Sequence, residues 1–439
     1  MKVIINPPVA EWGDLCNRPL IDNARLEKNV REIMENVRRG GDEALREYTR
    51  RFDGADIDDF RVPDHRIASS VNELDPRLLE AVELAIKNIE SFHAAQKPEE
   101  VHVDTMPGVS CSMRYLPVEK VGLYIPGGSA PLFSTVLMLG LPARIAGCRE
   151  VILCTPPGPN GDIHPAVLYA ASRSSITSVY TIGGAQAIAA MAWGTETIPK
   201  VDKLFGPGNQ WVTMAKQLAA SEGIAIDLPA GPSEVTVVAD KSVPPEFIAA
   251  DLLSQAEHGA DSQVMLVTTD AGIIGPVKIE VERLLKRLPR RKIAEAALEF
   301  SKILVFNDYD ILMDFVNTYA PEHLIIATSN YNDLSGKVLN AGSVFLGNFT
   351  PESAGDYASG TNHTLPTNGF ARAWSGVGTE AFMKRISFQE VSGKALQVLG
   401  PMVEFMAQAE ELEAHRQAVK VRLDYLVNQK NLSWDQSIH

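Results

Sequence analysis

From Cys111 onward the sequence is punctuated: short apolar runs, many closed by glycine-rich turns, alternate with stretches patterned as helices. The candidate strands are Val121–Ile125, Val151–Cys154, Val179–Ile182 and Val235–Ala239, then Val264–Thr268, Ile303–Phe306, Leu324–Ala327 and Val344–Leu346. Between them lie helical patterns such as Pro165–Arg173, Ala185–Trp193, Gln210–Ala220 and Glu246–His258. Parallel strands need a crossover connection, and a helix is the usual one because it satisfies its own backbone. The alternation therefore predicts βαβ units and mostly parallel sheets. The strands are too many for one compact sheet, so two α/β domains are expected. The break between them is placed at Asp240–Pro245, reading DKSVPP.

The flanks read differently. Residues 1–20, rich in Pro, Trp and Asn, look like an arm. From about Ala24 to Asp53, Leu26, Val30, Ile33, Met34 and Val37 recur at helical spacing until Gly40-Gly41 interrupts them. A second helix opens with Asp75 as cap and Pro76 in its first position. From about Gly378 to the end the pattern is helical again. A chain of 439 residues has room for such a division, at about 150 residues per domain.

Charge and composition exclude several functions. A net charge of −14 argues against a nucleic-acid binder, whose phosphate contacts need clustered Lys and Arg. The densest basic run, Arg283 to Lys292, is broken by apolar residues and reads as a solvated helix end. No apolar run approaches the ~18 residues of a membrane span. The N-terminus lacks the basic-then-apolar pattern of a secretory signal. Cys16, Cys111, Cys148 and Cys154 show no CxxC spacing and read as reduced thiols. A cytoplasmic protein with no membrane or nucleic-acid partner is expected.

Four glycine turns follow candidate strands or lie near them: Gly127-Gly128, Gly183-Gly184, Gly206-Pro207-Gly208-Asn209 and Gly231-Pro232-Ser233. Glycine admits close backbone approach, and a following helix N-terminus favours phosphate. None spells GxGxxG, because Trp211 stands where the third glycine would be. Taken singly each turn is structural; together they point to a phosphate-bearing ligand. Downstream, Asp251, Gln255 and His258 share one helical stripe, which on spacing alone is a solvated face. Glu322 and His323 stand together before an apolar strand, where they could supply two proton-transfer groups or simply form a turn. The polar stretch Glu352–Thr367 carries Asp356 and His363 among small residues, the composition of a functional loop. Near the C-terminus, Glu410 precedes His415, which shares an apolar stripe with Leu412 and Val419 and reads as a core or interface residue. Cys154, inside the apolar run VILC, reads as a buried inert thiol, and no cysteine is assigned to catalysis.

Read together, these segments resemble the histidinol dehydrogenase family. The resemblance rests on GLYIPGGSAPLFSTVLM at 122–138, FGPGN at 205–209, DLPAGPSE at 227–234, DLLSQAEHG at 251–259, APEHL at 320–324 and GDYASGTNHTLPT at 355–367. It runs in order from the first helices to His415. The arm before Leu20 and the tail after about Leu426 lie outside it.

The resemblance implies a role for each motif residue. Gln255, His258, Asp356 and His415 match zinc ligands, for one Zn2+ per subunit, and also contact substrate. Glu322 and His323 match the acid–base pair, with His323 also touching substrate. Ser233, His363 and Glu410 match substrate contacts. Tyr124, Gln186 and Asn209 match NAD contacts. It further implies two incomplete Rossmann-like domains with mostly parallel sheets, a helical C-terminal unit and a short N-terminal arm. Residues 119–239 would bind NAD, residues 21–118 and 240–376 would carry zinc and the catalytic pair, and residues 377–439 would swap between subunits. The implied enzyme is an NAD-dependent, four-electron L-histidinol dehydrogenase of histidine biosynthesis. It would be a homodimer with His415 and Glu410 supplied in trans. Two other readings fit the same residues: a related zinc- and NAD-dependent dehydrogenase of another small amino alcohol or polyol, and, more remotely, a zinc hydrolase.

Overall fold

The computed structural model describes residues 1–18, 23–127, 131–158, 160–229 and 231–435. The chain divides into two compact units, one from residues 1–97 and 117–382, the other from 98–116 and 383–439.

Among the described residues, the first unit is built on two parallel sheets. One has five strands in the order Ser178–Thr181, Glu150–Thr155, Lys120–Tyr124, Lys203–Phe205, Ala225–Ile226. All its pairings are parallel, as the alternation predicted. The other has six strands in the order Lys2–Ile5, Lys302–Val305, Gln263–Thr268, Glu234–Ala239, His323–Ala327, Ser343–Leu346, again all parallel. Its central strands are buried throughout, which is why they read as unbroken apolar runs. The eight expected strands are present within a residue or so of their expected limits.

Three expectations need correction. Residues 2–5 are not part of a free arm; KVII pairs with Lys302–Val305 as the sheet edge. The strand Glu234–Ala239 belongs to the six-stranded sheet, so the change of sheet falls upstream of the Asp240–Pro245 break. Its neighbours, Gln263–Thr268 and His323–Ala327, lie beyond that break, and only tertiary pairing reveals this. In the second unit, the region expected to be all helix opens with the strand Met383–Val391. That strand flanks Val109–Pro117, which pairs antiparallel with Val101–Met106. The apolar residues of MKRISFQEV, Met383, Ile386, Phe388 and Val391, keep no strict period of two, and the strand is exposed along nearly its whole length, so local patterning does not mark it.

Helices Gly393–Ala409 and Glu413–Asp435 complete the second unit, and side chains of the later one, Val419 and Leu423, pack over Gly400 of the first. In the first unit the cap expected at Asp75 is present, its side chain accepting from the Arg77 N–H before Pro76–Ala95. Gly41, at φ 51°, interrupts Asn23–Phe52 where the Gly40-Gly41 break was read. Among the described residues, no helix is long and apolar enough to cross a membrane.

Candidate active site

Glu234 and His323 are the first residues of neighbouring central strands, in register so that His323 lies opposite Val235. The pair Glu322-His323 therefore sits at the N-terminal edge of the six-stranded sheet, not at the C-terminal ends where open parallel sheets usually bind ligands. The backbone of Glu234 serves both residues. The Glu234 N–H donates to Glu322 Oε2 at 2.8 Å, and the Glu234 carbonyl lies 3.1 Å from His323 Nδ1. A carbonyl only accepts, so Nδ1 carries a hydrogen, and Nε2 is the nitrogen whose proton can come and go. His323 Nε2 is buried without a hydrogen-bond partner, with Asp356 Oδ1 at ion-pair range, 3.5 Å. Glu322 Oε2 lies 3.5 Å from Nδ1.

The side chain of Glu234 anchors this arrangement. Arg18 grips it with Nε to Oε1 at 3.0 Å and Nη2 to Oε2 at 2.9 Å, while the Asn368 N–H donates at 2.7 Å. Arg18 also donates to the Cys16 and Tyr319 carbonyls and lies 3.7 Å from the Tyr319 ring centre. The arm, which the family resemblance left without a role, thus reaches the residue that holds the Glu322-His323 pair. Fixed forks of this kind suit Arg to a buried carboxylate.

The predicted metal residues are partly assembled. Gln255 is buried near the end of helix Pro245–Ala256, its Nε2 2.7 Å from Glu352 Oε1 and 3.4 Å from His323 Nδ1. Asp356 stands in the short helix Glu352–Tyr357. His258 does not share the helical stripe with Gln255, because the helix stops at Ala256; His258 is exposed just beyond it. Glu410 and His415 belong to the second unit, Glu410 closing one helix and His415 exposed on the next. Among the described residues, no three His, Cys, Asp or Glu side chains converge as a ready metal cluster. The donor set nevertheless fits zinc in kind: amide and carboxylate oxygens with imidazole nitrogens, and a buried Gln255 Oε1 that has no hydrogen-bond partner.

The electrostatics follow from burial opposed by charge. Burial would push the His323 imidazole down, but Glu322 and Asp356 outweigh it and hold it well above its usual value. Burial would likewise raise Asp356; His323 reverses this and keeps it below the usual carboxylate range. Burial pushes Glu352 up to about 8 and Asp251 up to about 7. His363 is lowered by burial; its Nδ1 lies 2.9 Å from the Asp356 carbonyl and its Nε2 3.0 Å from Thr135 Oγ1. Ser233 is half-buried immediately before Glu234.

A second group of residues gathers at the C-terminal edge of the five-stranded sheet. Tyr124 ends its strand and accepts from the Gly184 N–H at 3.1 Å; burial pushes the phenol up to about 12. Gln186 is buried in helix Gly184–Trp193, and Asn209 is exposed and caps helix Gln210–Ser221, accepting from Trp211 and Val212. Gly206, at φ 133°, passes so close to Tyr124 that a Cβ would collide with its carbonyl. Asp227 accepts the Gly206 N–H at 2.8 Å, and Lys216 Nζ donates to the Gly206 carbonyl at 2.8 Å while pairing with Asp227. Gly128 and Ala230, from the quoted glycine motifs, lie outside the described residues. Cys154 is buried and free, as read, and burial raises its thiol.

Arg18, Glu234, Glu352, Lys216 and Asp227 were given no role at the sequence level. For Glu234 a signal existed: a carboxylate at the head of the apolar run VTVVA must be buried and therefore partnered.

Comparison with known proteins places nearly the whole chain. A sequence model of the histidinol dehydrogenase family matches residues 16–423. The chain is 54% identical over 424 residues to a histidinol dehydrogenase of Bacteroides fragilis, covering 97% of this chain and 99% of that one. It is 50% identical over 418 residues to that of Escherichia coli O6:H1, covering 94% and 95%. The crystal structure of histidinol dehydrogenase from Elizabethkingia anophelis superposes with a TM-score of 0.94 at 53% identity, covering 97% and 98%. With a family match along nearly its whole length, the chain belongs to the histidinol dehydrogenase family.

Proposed function

We propose that this chain oxidises L-histidinol to L-histidine through L-histidinal, reducing two NAD and consuming one water, as the last step of histidine biosynthesis. The observation that carries the reading is the buried Glu322-His323 pair clamped by the N–H and carbonyl of Glu234, in a chain related along nearly its whole length to histidinol dehydrogenases.

The geometry suits two oxidations. His323 Nε2 takes the alcohol proton as the carbon gives up hydride, and Nδ1 stays fixed by the Glu234 carbonyl so that the tautomer does not change. Glu322, held by the Glu234 N–H, activates water to hydrate the aldehyde; His323 then takes a proton from the hydrate as the second hydride leaves. Ser233, His363 and Glu410 contact the substrate, and Tyr124, Gln186 and Asn209 contact NAD. Gln255, His258, Asp356 and His415 would hold zinc, one per subunit. Bound zinc would supply a Lewis-acidic anchor for the substrate's imidazole and amino nitrogens and would engage Asp356, the carboxylate that helps hold His323 high. Fixing the reacting carbon in this way lowers the barrier by orientation.

The protein works as a homodimer in the cytoplasm, each site completed by the partner subunit's Glu410 and His415. Support comes from helix Gly393–Ala409, where Val398, Met402 and Phe405 line one face and are 63–75% exposed in the single chain. The experiment is absorbance at the NADH band with L-histidinol, NAD and zinc: two NADH per histidinol are expected, and none would refute the assignment. Activity with another amino alcohol alone would shift it to a related dehydrogenase.

A further inference from the structure

Gln255 and Glu352 are each only 1% exposed. The Gln255 carboxamide nitrogen donates to Glu352 Oε1 at 2.7 Å, and the Ser254 hydroxyl lies 3.1 Å from the same oxygen. In this pairing Glu352 accepts from the amide nitrogen, which leaves the carbonyl end of Gln255 facing away. The end that faces away is Oε1, buried with no hydrogen-bond partner. Leaving a buried oxygen unpartnered is costly, so this one calls for a partner that the surrounding side chains do not supply. Glu352 Oε2 is also without a partner.

We propose that Glu352 is a positioning residue of the metal site: it orients the Gln255 carboxamide so that Oε1 is presented to the metal, and it acts through Gln255 rather than as a ligand. The inference rests on the zinc reading above. Partners of metal ligands commonly set affinity by fixing the ligand atom's direction, at ~10–100-fold per partner removed.

The test measures zinc affinity of the full-length protein by competition with a chromophoric chelator, without substrate or NAD. Glu352→Ala is expected to weaken zinc binding ~10-fold or more. Glu352→Leu, which refills most of the space without an acceptor, should do the same and removes the effect of a cavity. Glu352→Gln keeps an acceptor oxygen for Nε2 and should remain within about threefold of the parent. In a double-mutant cycle, Glu352→Ala should add little to Gln255→Ala, because the two act as one unit. Metal-free melting curves establish that each variant is folded. Zinc bound by Glu352→Ala and Glu352→Leu as tightly as by the parent would overturn the inference. So would losses that multiply in the double variant, the signature of an independent ligand. A parent that takes up no zinc would overturn the metal reading itself, a separate and earlier failure.

Discussion

Glu234 does its work with three different groups: an N–H to Glu322, a carbonyl to His323 and a carboxylate to Arg18. Because Glu322 is held apart from the base nitrogen of His323, the two can serve different steps, and this separates their phenotypes. In Glu322→Gln the first oxidation should proceed while hydration of the aldehyde slows. Single-turnover NADH per histidinol consumed should then fall from two toward one. A ratio of two with an unchanged second-step rate would refute the role. A different residue-scale effect concerns Asp53, whose Oδ2 is buried without a partner and whose pKa burial raises from 3.8 to about 6. The folded chain holds this proton more tightly than the unfolded chain does. Stability is therefore greatest below the unfolded value and falls as pH rises from about 4 to about 6. Asp53→Asn should raise stability at pH 7.5 by about 1 kcal/mol, a figure reduced for partial solvent access, and change little at pH 4. Thermal melts at the two pH values decide it; equal gains at both would count against the buried carboxylate as cause.

The loop Gly206–Asn209 illustrates how an element is held. It lacks the glycine fingerprint of dinucleotide sites, yet it is fastened from beneath by Lys216 and Asp227, both buried. Removing one partner of such a pair strands the other charge, at about 3–5 kcal/mol. Lys216→Met should lower the unfolding free energy by that order, read from denaturant melts, and raise KM for NAD. Lys216→Met with Asp227→Asn should recover most of the stability, since no unpaired charge remains. A single variant costing under about 1 kcal/mol would show the pair to be unimportant.

At the scale of the molecule, each parallel sheet of the first unit has its own apolar core, with Ile188 and Leu204 in one and Val237 and Leu266 in the other. The proposed zinc ligands are not needed to close either core. A chelator should therefore abolish turnover and leave a cooperative melt; full turnover in a verified metal-free sample would refute the zinc requirement. The proposed exchange of tails between subunits has its own test. A His415→Ala chain keeps a sound body, and a His323→Ala chain keeps a sound tail. Mixed dimers should regain one working site if the tail acts in trans. Tag-purified mixed dimers no more active than either variant alone would count against the exchange.

The parallel α/β class and eight of the strands in the two sheets were legible along the chain, because periodicity and strand-ending glycines are local properties; Lys203–Phe205 and Ala225–Ile226 were too short to show, and the Glu322-His323 pair stood out only through the family resemblance. What pairs with what was not. Glu234–Ala239 joins strands that follow it by sheet registry, and Lys2–Ile5 adds an edge from the far end of the chain. Arg18 reaches Glu234 across 216 residues and Glu352 reaches Gln255 across 97, contacts with no trace in local spacing. The residues that could carry chemistry were therefore written in the sequence. Their protonation, tautomer and orientation arise only when folding buries them together, because burial and near charges set those states.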